Sequence, residues 1–127
     1  MLPDYNNSDR EMLVEYLHGL DAAVAKNSWH AQKRMDGINE IISEPPLGTE
    51  AVKASQIAMM RDAIEYAELA KKHAVAMCDL FRNYPEVKGI VGAQWLDRST
   101  KLAREACILC IETKQFLRHV ESIATSM

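Results

Sequence analysis

Residues 49–83 read TEAVKASQIAMMRDAIEYAELAKKHAVAMCDLFRN, with no proline or glycine among them. This stretch predicts one uninterrupted α-helix of roughly ten turns. Its apolar residues form two offset stripes, one through Ala63 and Ala70 and the other through Met60 and Ala67. Two apolar stripes require two packing partners, so we expect this helix to lie in the middle of a bundle.

Two short breaks separate this helix from its neighbours. Residues 44–48 read EPPLG, and consecutive prolines stop a helix because they fix φ and remove backbone donors. On the other side, residues 83–85 read NYP. We therefore expect one domain over residues 1–127, with helices over about 9–43, 50–83 and 93–124. Residues 85–92, PEVKGIVG, have room for one short helical turn.

The first helix leaves one question open. Its apolar pattern runs through Leu17 and Val24, weakens at Lys26-Asn27-Ser28, and resumes at Ala31 and Met35. Either a single helix carries a polar layer in its middle, or Ser28 caps a second helix after a kink near Asn27-Ser28. The single helix is the favoured interpretation, because the interruption is short and holds no proline.

These segments predict an all-α fold, an up-down-up antiparallel bundle of three long helices. The bundle is thin, so it buries little surface per residue. Residues 106–111, ACILCI, are apolar on every side of their helix. This surplus apolar surface predicts that self-association, or a protein partner, completes the bundle.

Composition excludes several classes of protein. The net charge is −3, so the phosphate-binding footprint of a nucleic-acid protein is missing, and we do not expect nucleic acid as a partner. No apolar run approaches the roughly 18 residues of a membrane helix, and the first ten residues lack the pattern of a secretion signal. Three cysteines, an odd number, fit a reducing compartment, so we expect a cytoplasmic location without membrane attachment.

Chemical motifs are weak. Glu15 and His18 match half of a di-iron Glu-x-x-His motif, but the second copy that such sites need is missing. Cys107 and Cys110 have the spacing of a redox pair, yet they fall within a helix among apolar residues and are expected to be small core side chains. No catalytic set emerges. We therefore expect a non-enzymatic protein with no metal and no cofactor.

One basic cluster supports an alternative function. Residues of the second and third predicted helices that lie at similar heights carry positive charge: Lys71, Lys72, His73, Arg98, Lys101 and Arg104. If these sides converged, an anion would offset their repulsion. The alternative hypothesis is therefore a small-molecule binder for a phosphate-bearing, nucleotide-like ligand. Nearby acids such as Asp21 and Glu105 favour an ordinary mixed-charge surface instead.

The leading hypothesis is an interaction protein that binds itself or another protein through helix surfaces. No motif assigns the chain to a family, and fold alone does not imply function. Trp29 falls off the main apolar stripe, which suits an exposed anchor or a packing residue at a kink. The residues expected to make the contacts are Trp29, Met59, Met60, Ile108 and Ile111.

Overall fold

The computed structural model describes residues 7–43 and 54–125, with side chains for 8–43 and 54–123. These residues form four α-helices: α1 (Asn7–Ser43), α2 (Ala54–Asn83), α3 (Val87–Val91) and α4 (Ala93–Thr125). The all-α class is confirmed. The count of three helices is corrected to four within these ranges, because α3 is a separate helix. The predicted break at 44–48 and the predicted helix start at 50 lie outside the described residues.

The single-helix interpretation of α1 is confirmed, since α1 runs through the polar layer without interruption. Asn27 remains in the helix by donating from its side-chain amide to the carbonyl of Ala23, one turn earlier, at 2.8 Å. Such a local bond satisfies a polar group that would otherwise compete with the helical backbone. A polar layer therefore does not require a break.

The second helix occupies the middle of the fold. It packs along most of its length against both α1 and α4, whereas α1 and α4 contact each other much less. Residue order is opposite on neighbouring helices: Leu17 of α1 shares a cluster with Met77 of α2, and Met35 shares one with Met60. Val120, near the end of α4, joins the Met60 cluster. The prediction of two packing partners for α2 is thus met by α1 and α4.

The core changes in character along the fold. Large side chains fill its two ends, around Met60 and Ile38 at one end and around Phe81 and Leu17 at the other. Between them the buried residues are small: Val24, Ala31, Ala67, Ala70, Ala74, Ala106 and Cys110. Small residues let helix backbones approach closely, but they also leave little side-chain volume to fill the space between more distant helices.

The short helix α3 closes one end. Val87 and Val91, one turn apart, are buried in the same cluster as Phe81. Gly92 then ends the helix with φ of 103°, a backbone conformation that other residues rarely adopt. Five residues are too few to show a periodic pattern, which is why the sequence indicates only a short turn here.

Candidate functional site

An open groove lies between α1 and α4, where these two helices separate. Its volume is about 490 Å³. One wall belongs to α1, and the residues that line it are Val24, Ala25, Ser28, Trp29 and Gln32. The other wall belongs to α4, and its lining residues are Leu102, Glu105, Ala106, Ile108, Leu109 and Glu112.

The groove is a consequence of the small residues in the middle of the core. Val24 and Ala106 are buried in its floor, in one cluster with Ala70 and Ala74 of α2. None of these side chains is long enough to fill the space between α1 and α4. The same alanines that hold both helices against α2 therefore leave the gap above it open.

Two large apolar side chains border the groove on opposite walls. Trp29 of α1 is 58% exposed and Ile108 of α4 is 48% exposed. The Lys33 ammonium lies 5.5 Å from the centre of the Trp29 ring, and the edge of the ring meets His30. Neither contact covers the indole. An exposed tryptophan beside an apolar groove is typical of a protein-binding surface.

The α4 wall of the groove carries negative charge. Glu105 and Glu112 are both exposed and lie two turns apart on the same side of the helix. Glu105 has a loose ion pair with Lys101, at 4.0 Å. Glu112 forms no ion pair with any other described residue. The groove therefore combines an apolar floor with one acidic edge.

The five predicted interaction residues fall in different places. Trp29 and Ile108 border the groove, and Ile111 is exposed on the outer side of α4. Met59 is 41% exposed on α2. The prediction for Met60 is wrong. Its side chain is fully buried between Met35 and Val120, so it packs in the core and is not available to a partner. Adjacent methionines lie about 100° apart on a helix, and here α1 and α4 cover only the second.

The predicted basic cluster is divided among separate acidic partners. Arg98 donates from its Nε and, at 2.9 Å, from its Nη2 to the two carboxylate oxygens of Asp21 on α1. This bond and the positive charge lower the pKa of the Asp21 carboxyl, against the opposing effect of burial. Lys101 pairs with Glu105 on its own helix.

The other members of the basic cluster lie elsewhere. Lys71 and Lys72 line a shallow depression of about 450 Å³ that also contains Glu68 and Asp79. His73 is half-buried on α2, and Arg104 is exposed on α4. Glu68 accepts a 2.7 Å bond from Lys114, which lowers the pKa of the Glu68 carboxyl. Four cations of the predicted basic cluster thus have an acid nearby: Arg98, Lys101, Lys71 and Lys72.

The residues of the weak chemical motifs make packing contacts or are buried. His18 packs its ring edge-on against Trp95, with centroids 4.7 Å apart, and Glu15 shares a shallow depression with it on α1. Cys110 is buried and Cys78 half-buried, and burial raises the pKa of both thiols. Within residues 7–43 and 54–125, no three potential metal ligands lie together. None of the helices in these ranges is long and apolar enough to cross a membrane.

A second cleft, not indicated by the sequence, lies at the α3 end. Its volume is about 580 Å³. Apolar and aromatic residues dominate its lining: Met12, Leu13, Tyr16, Leu80, Tyr84, Val87 and Ile90, together with Asp9 and Glu86. One wall comes from α1 and the other from the end of α2 and from α3, and these two parts of the chain are distant in sequence, so no local pattern could have predicted the cleft.

No protein-family model, no curated protein and no solved structure matches this chain.

Proposed function

We propose that this chain is a non-enzymatic interaction protein. In this proposal its three long helices form an antiparallel bundle with α3 at one end, and the groove between α1 and α4 binds another polypeptide, either a second copy or a different protein. The observation that carries the proposal is the open groove with Trp29 and Ile108 exposed on its opposite walls.

Physical reasons favour a polypeptide over a small substrate as the occupant. The groove is open along residues 24–32 of α1 and 102–112 of α4, whereas sites for small molecules are concave and enclose most of the ligand. Its lining contains no histidine, cysteine, lysine or arginine among eleven residues, and its two carboxylates, Glu105 and Glu112, are exposed to solvent, so it offers little acid–base or nucleophilic chemistry. Tryptophan and isoleucine beside a shallow apolar floor instead suit the buried centre of a protein interface.

Sedimentation velocity over about 1–300 μM tests the self-binding form of this proposal. We expect concentration-dependent association of the wild type, loss of association in Ile108→Asp, and no loss in Leu69→Asp. Leu69 is a matched control, because it is also an exposed apolar residue but lies on α2 outside the groove. Equal behaviour of the two variants would contradict the assignment to the groove.

The partner-binding form has a separate test. A photo-crosslinking residue placed at position 29 should capture a protein in cell extract, and the same residue at position 69 should not. Capture should disappear when Ile108→Asp is added to the position 29 variant. A capture that is unaffected by Ile108→Asp would argue against groove binding.

The phosphate-ligand hypothesis stays a prediction. Arg98 and Lys101 pair with acids, and Lys71 and Lys72 share a depression with Glu68 and Asp79, which reduces the net positive potential available to an anion. A thermal-shift screen with millimolar nucleotides tests it, because a ligand that binds only the folded state must raise the melting temperature. The expected cytoplasmic location likewise rests on cysteine usage and stays a prediction.

A further inference from the structure

Along the edge of the groove, α4 carries an exposed stripe that is self-complementary and includes the groove residues Ile108 and Glu112. Ile108 lies at its centre, and other stripe positions occur four, seven and eleven residues away in each direction. These spacings keep side chains on one side of an α-helix. All seven positions of the stripe are exposed.

The order of chemical types along the stripe is the informative feature. In two antiparallel helices related by a two-fold axis at Ile108, a residue before the axis on one copy lies level with the residue equally far after it on the other. Arg104, four residues before Ile108, is then level with Glu112 of the second copy. The axis repeats this pairing, so each Arg104 meets a Glu112.

The residues at the remaining levels of the stripe are also compatible with an antiparallel dimer. Lys101, seven residues before Ile108, is level with Gln115, a neutral hydrogen-bonding partner. Asp97, eleven residues before, is level with His119, so an acid meets an imidazole. At the axis, Ile108 meets its own copy. No level of the stripe opposes two like charges.

From this order we propose that the occupant of this α4 stripe is a second copy of this chain, bound antiparallel with Ile108 at the two-fold axis and Arg104 paired to Glu112 across the interface. The inference rests on the proposed function and makes it more specific. Arg104 and Glu112 are available for such pairs, because neither forms an ion pair with another described residue.

The dimension of the stripe sets the expected strength of the dimer. From Asp97 to His119 the stripe is about 33 Å long, at 1.5 Å per residue. At a helix width of about 10 Å, it offers roughly 300 Å² per copy, less than the ~800 Å² of a standard interface. Trp29 and the groove wall lie beside Ile108 and add to this area. We therefore expect a weak dimer, with Kd on the order of tens of micromolar.

A charge-exchange experiment tests the antiparallel arrangement. Arg104→Glu alone places two glutamates opposite each other in the homodimer, and Glu112→Arg alone places two arginines opposite each other. Each variant should associate at least roughly tenfold more weakly than the wild type. An equimolar mixture should recover the dimer. In the mixed pair the two substituted side chains, a glutamate and an arginine, face each other at one level, and an original Arg104 faces an original Glu112 at the other.

The control exchanges charge on α2. Arg61→Glu and Glu65→Arg, separately and mixed, change exposed residues on another helix and should leave sedimentation unchanged. Circular dichroism of every variant confirms that the helices remain folded.

The outcomes separate this inference from the proposed function. Recovery of the dimer only in the Arg104→Glu and Glu112→Arg mixture supports the arrangement. A wild-type dimer that is lost in Ile108→Asp, without recovery in the mixture, overturns the arrangement but keeps the groove as an interaction surface. A wild-type protein that remains monomeric at 300 μM, at the top of the ~1–300 μM range, overturns the second-copy inference, and crosslinking from position 29 then decides the proposed function.

Discussion

Asp21 and Arg98 join α1 to α4 through paired hydrogen bonds, with both carboxylate oxygens of Asp21 accepting from one guanidinium. One turn earlier on each helix, His18 meets Trp95 edge-on. These two contacts bridge helices that otherwise contact each other little. Because the groove opens about one turn further on, at Val24 and Leu102, the two contacts fix the spacing of its walls at that end.

A double-mutant cycle measures how strongly this pair holds α1 to α4. We compare Asp21→Ala, Arg98→Ala and the double variant by urea denaturation. The Asp21 side chain is only 15% exposed, but that of Arg98 is 53% exposed, so solvent screens the pair in part. We expect a coupling free energy of about 1 kcal/mol, at the upper end for exposed pairs because the contact is bidentate.

The control cycle uses Asp79 and Arg82. This pair lies within α2, at 3.4 Å, with side chains that are 43% and 75% exposed. A pair within one exposed helix should couple by only about 0.3–0.5 kcal/mol. Equal coupling in the two cycles would show that Asp21 and Arg98 do not fix the position of α4 against α1.

The same pair makes stability depend on pH in acid. Pairing lowers the pKa of Asp21 below its ordinary value of 3.8. The folded protein therefore keeps this carboxylate charged at a pH where the unfolded chain has protonated it. The contribution is complete above the ordinary pKa and is lost as the pH falls through the lower pKa of the folded state.

Urea midpoints of the wild type and Asp21→Asn, measured from about pH 2 to pH 7, test this dependence. The wild type should be the more stable protein near neutral pH, and the difference should diminish at the acid end. A difference that is constant over the whole range would contradict a charged Asp21 as its source. Glu68→Gln should show the same pH dependence with a smaller difference in stability, because both side chains of the Glu68–Lys114 pair are about half exposed.

The helices and most of their buried faces could be predicted from the sequence because both follow from periodicity. Leu17, Val24, Ala31 and Met35 recur at helical spacing in α1, and all four are buried. The pattern is local, so one chain segment contains all the information. The short α3 could not be predicted in this way, since Val87 and Val91 give it only one repeat.

The groove depends on relationships that no single segment contains. Trp29 could be predicted to lie off the main stripe, and Ile108 to lie in a segment apolar on every side. Which of these side chains remains uncovered depends on how far apart α1 and α4 lie. That separation follows from packing both helices against α2 through small residues such as Ala70 and Ala106, a property of the assembled fold.

Substitutions of Met59 and Met60 test directly which of the two methionines packs in the core. Met60→Ala removes a fully buried side chain and should lower the free energy of unfolding by about 2–5 kcal/mol. Met59→Ala changes a neighbour of the same type that is 41% exposed, and should cost less than about 1 kcal/mol. Urea denaturation of both variants measures the contrast. Similar losses in the two would place both side chains in the core.

Two alanine-to-leucine changes test why the groove is open. Ala70 is fully buried and borders none of the cavities described above, so Ala70→Leu should overpack the core and cost about 1–3 kcal/mol of unfolding free energy. Ala106 is almost equally buried but lines the groove floor. The added atoms in Ala106→Leu can extend into this open space, so the cost should be below about 1 kcal/mol.

Helix propensity does not bias this comparison, because both changes replace alanine by leucine inside a long helix. Ala58→Leu, at an exposed position of α2, supplies the baseline for the change in residue type. If small core residues create the groove, Ala106→Leu should also make its floor shallower and weaken self-association in sedimentation, while Ala58→Leu leaves both stability and association unchanged. A large loss of stability in Ala106→Leu would mean that the space between α1 and α4 is too narrow for a leucine, and therefore too narrow to receive side chains from a partner.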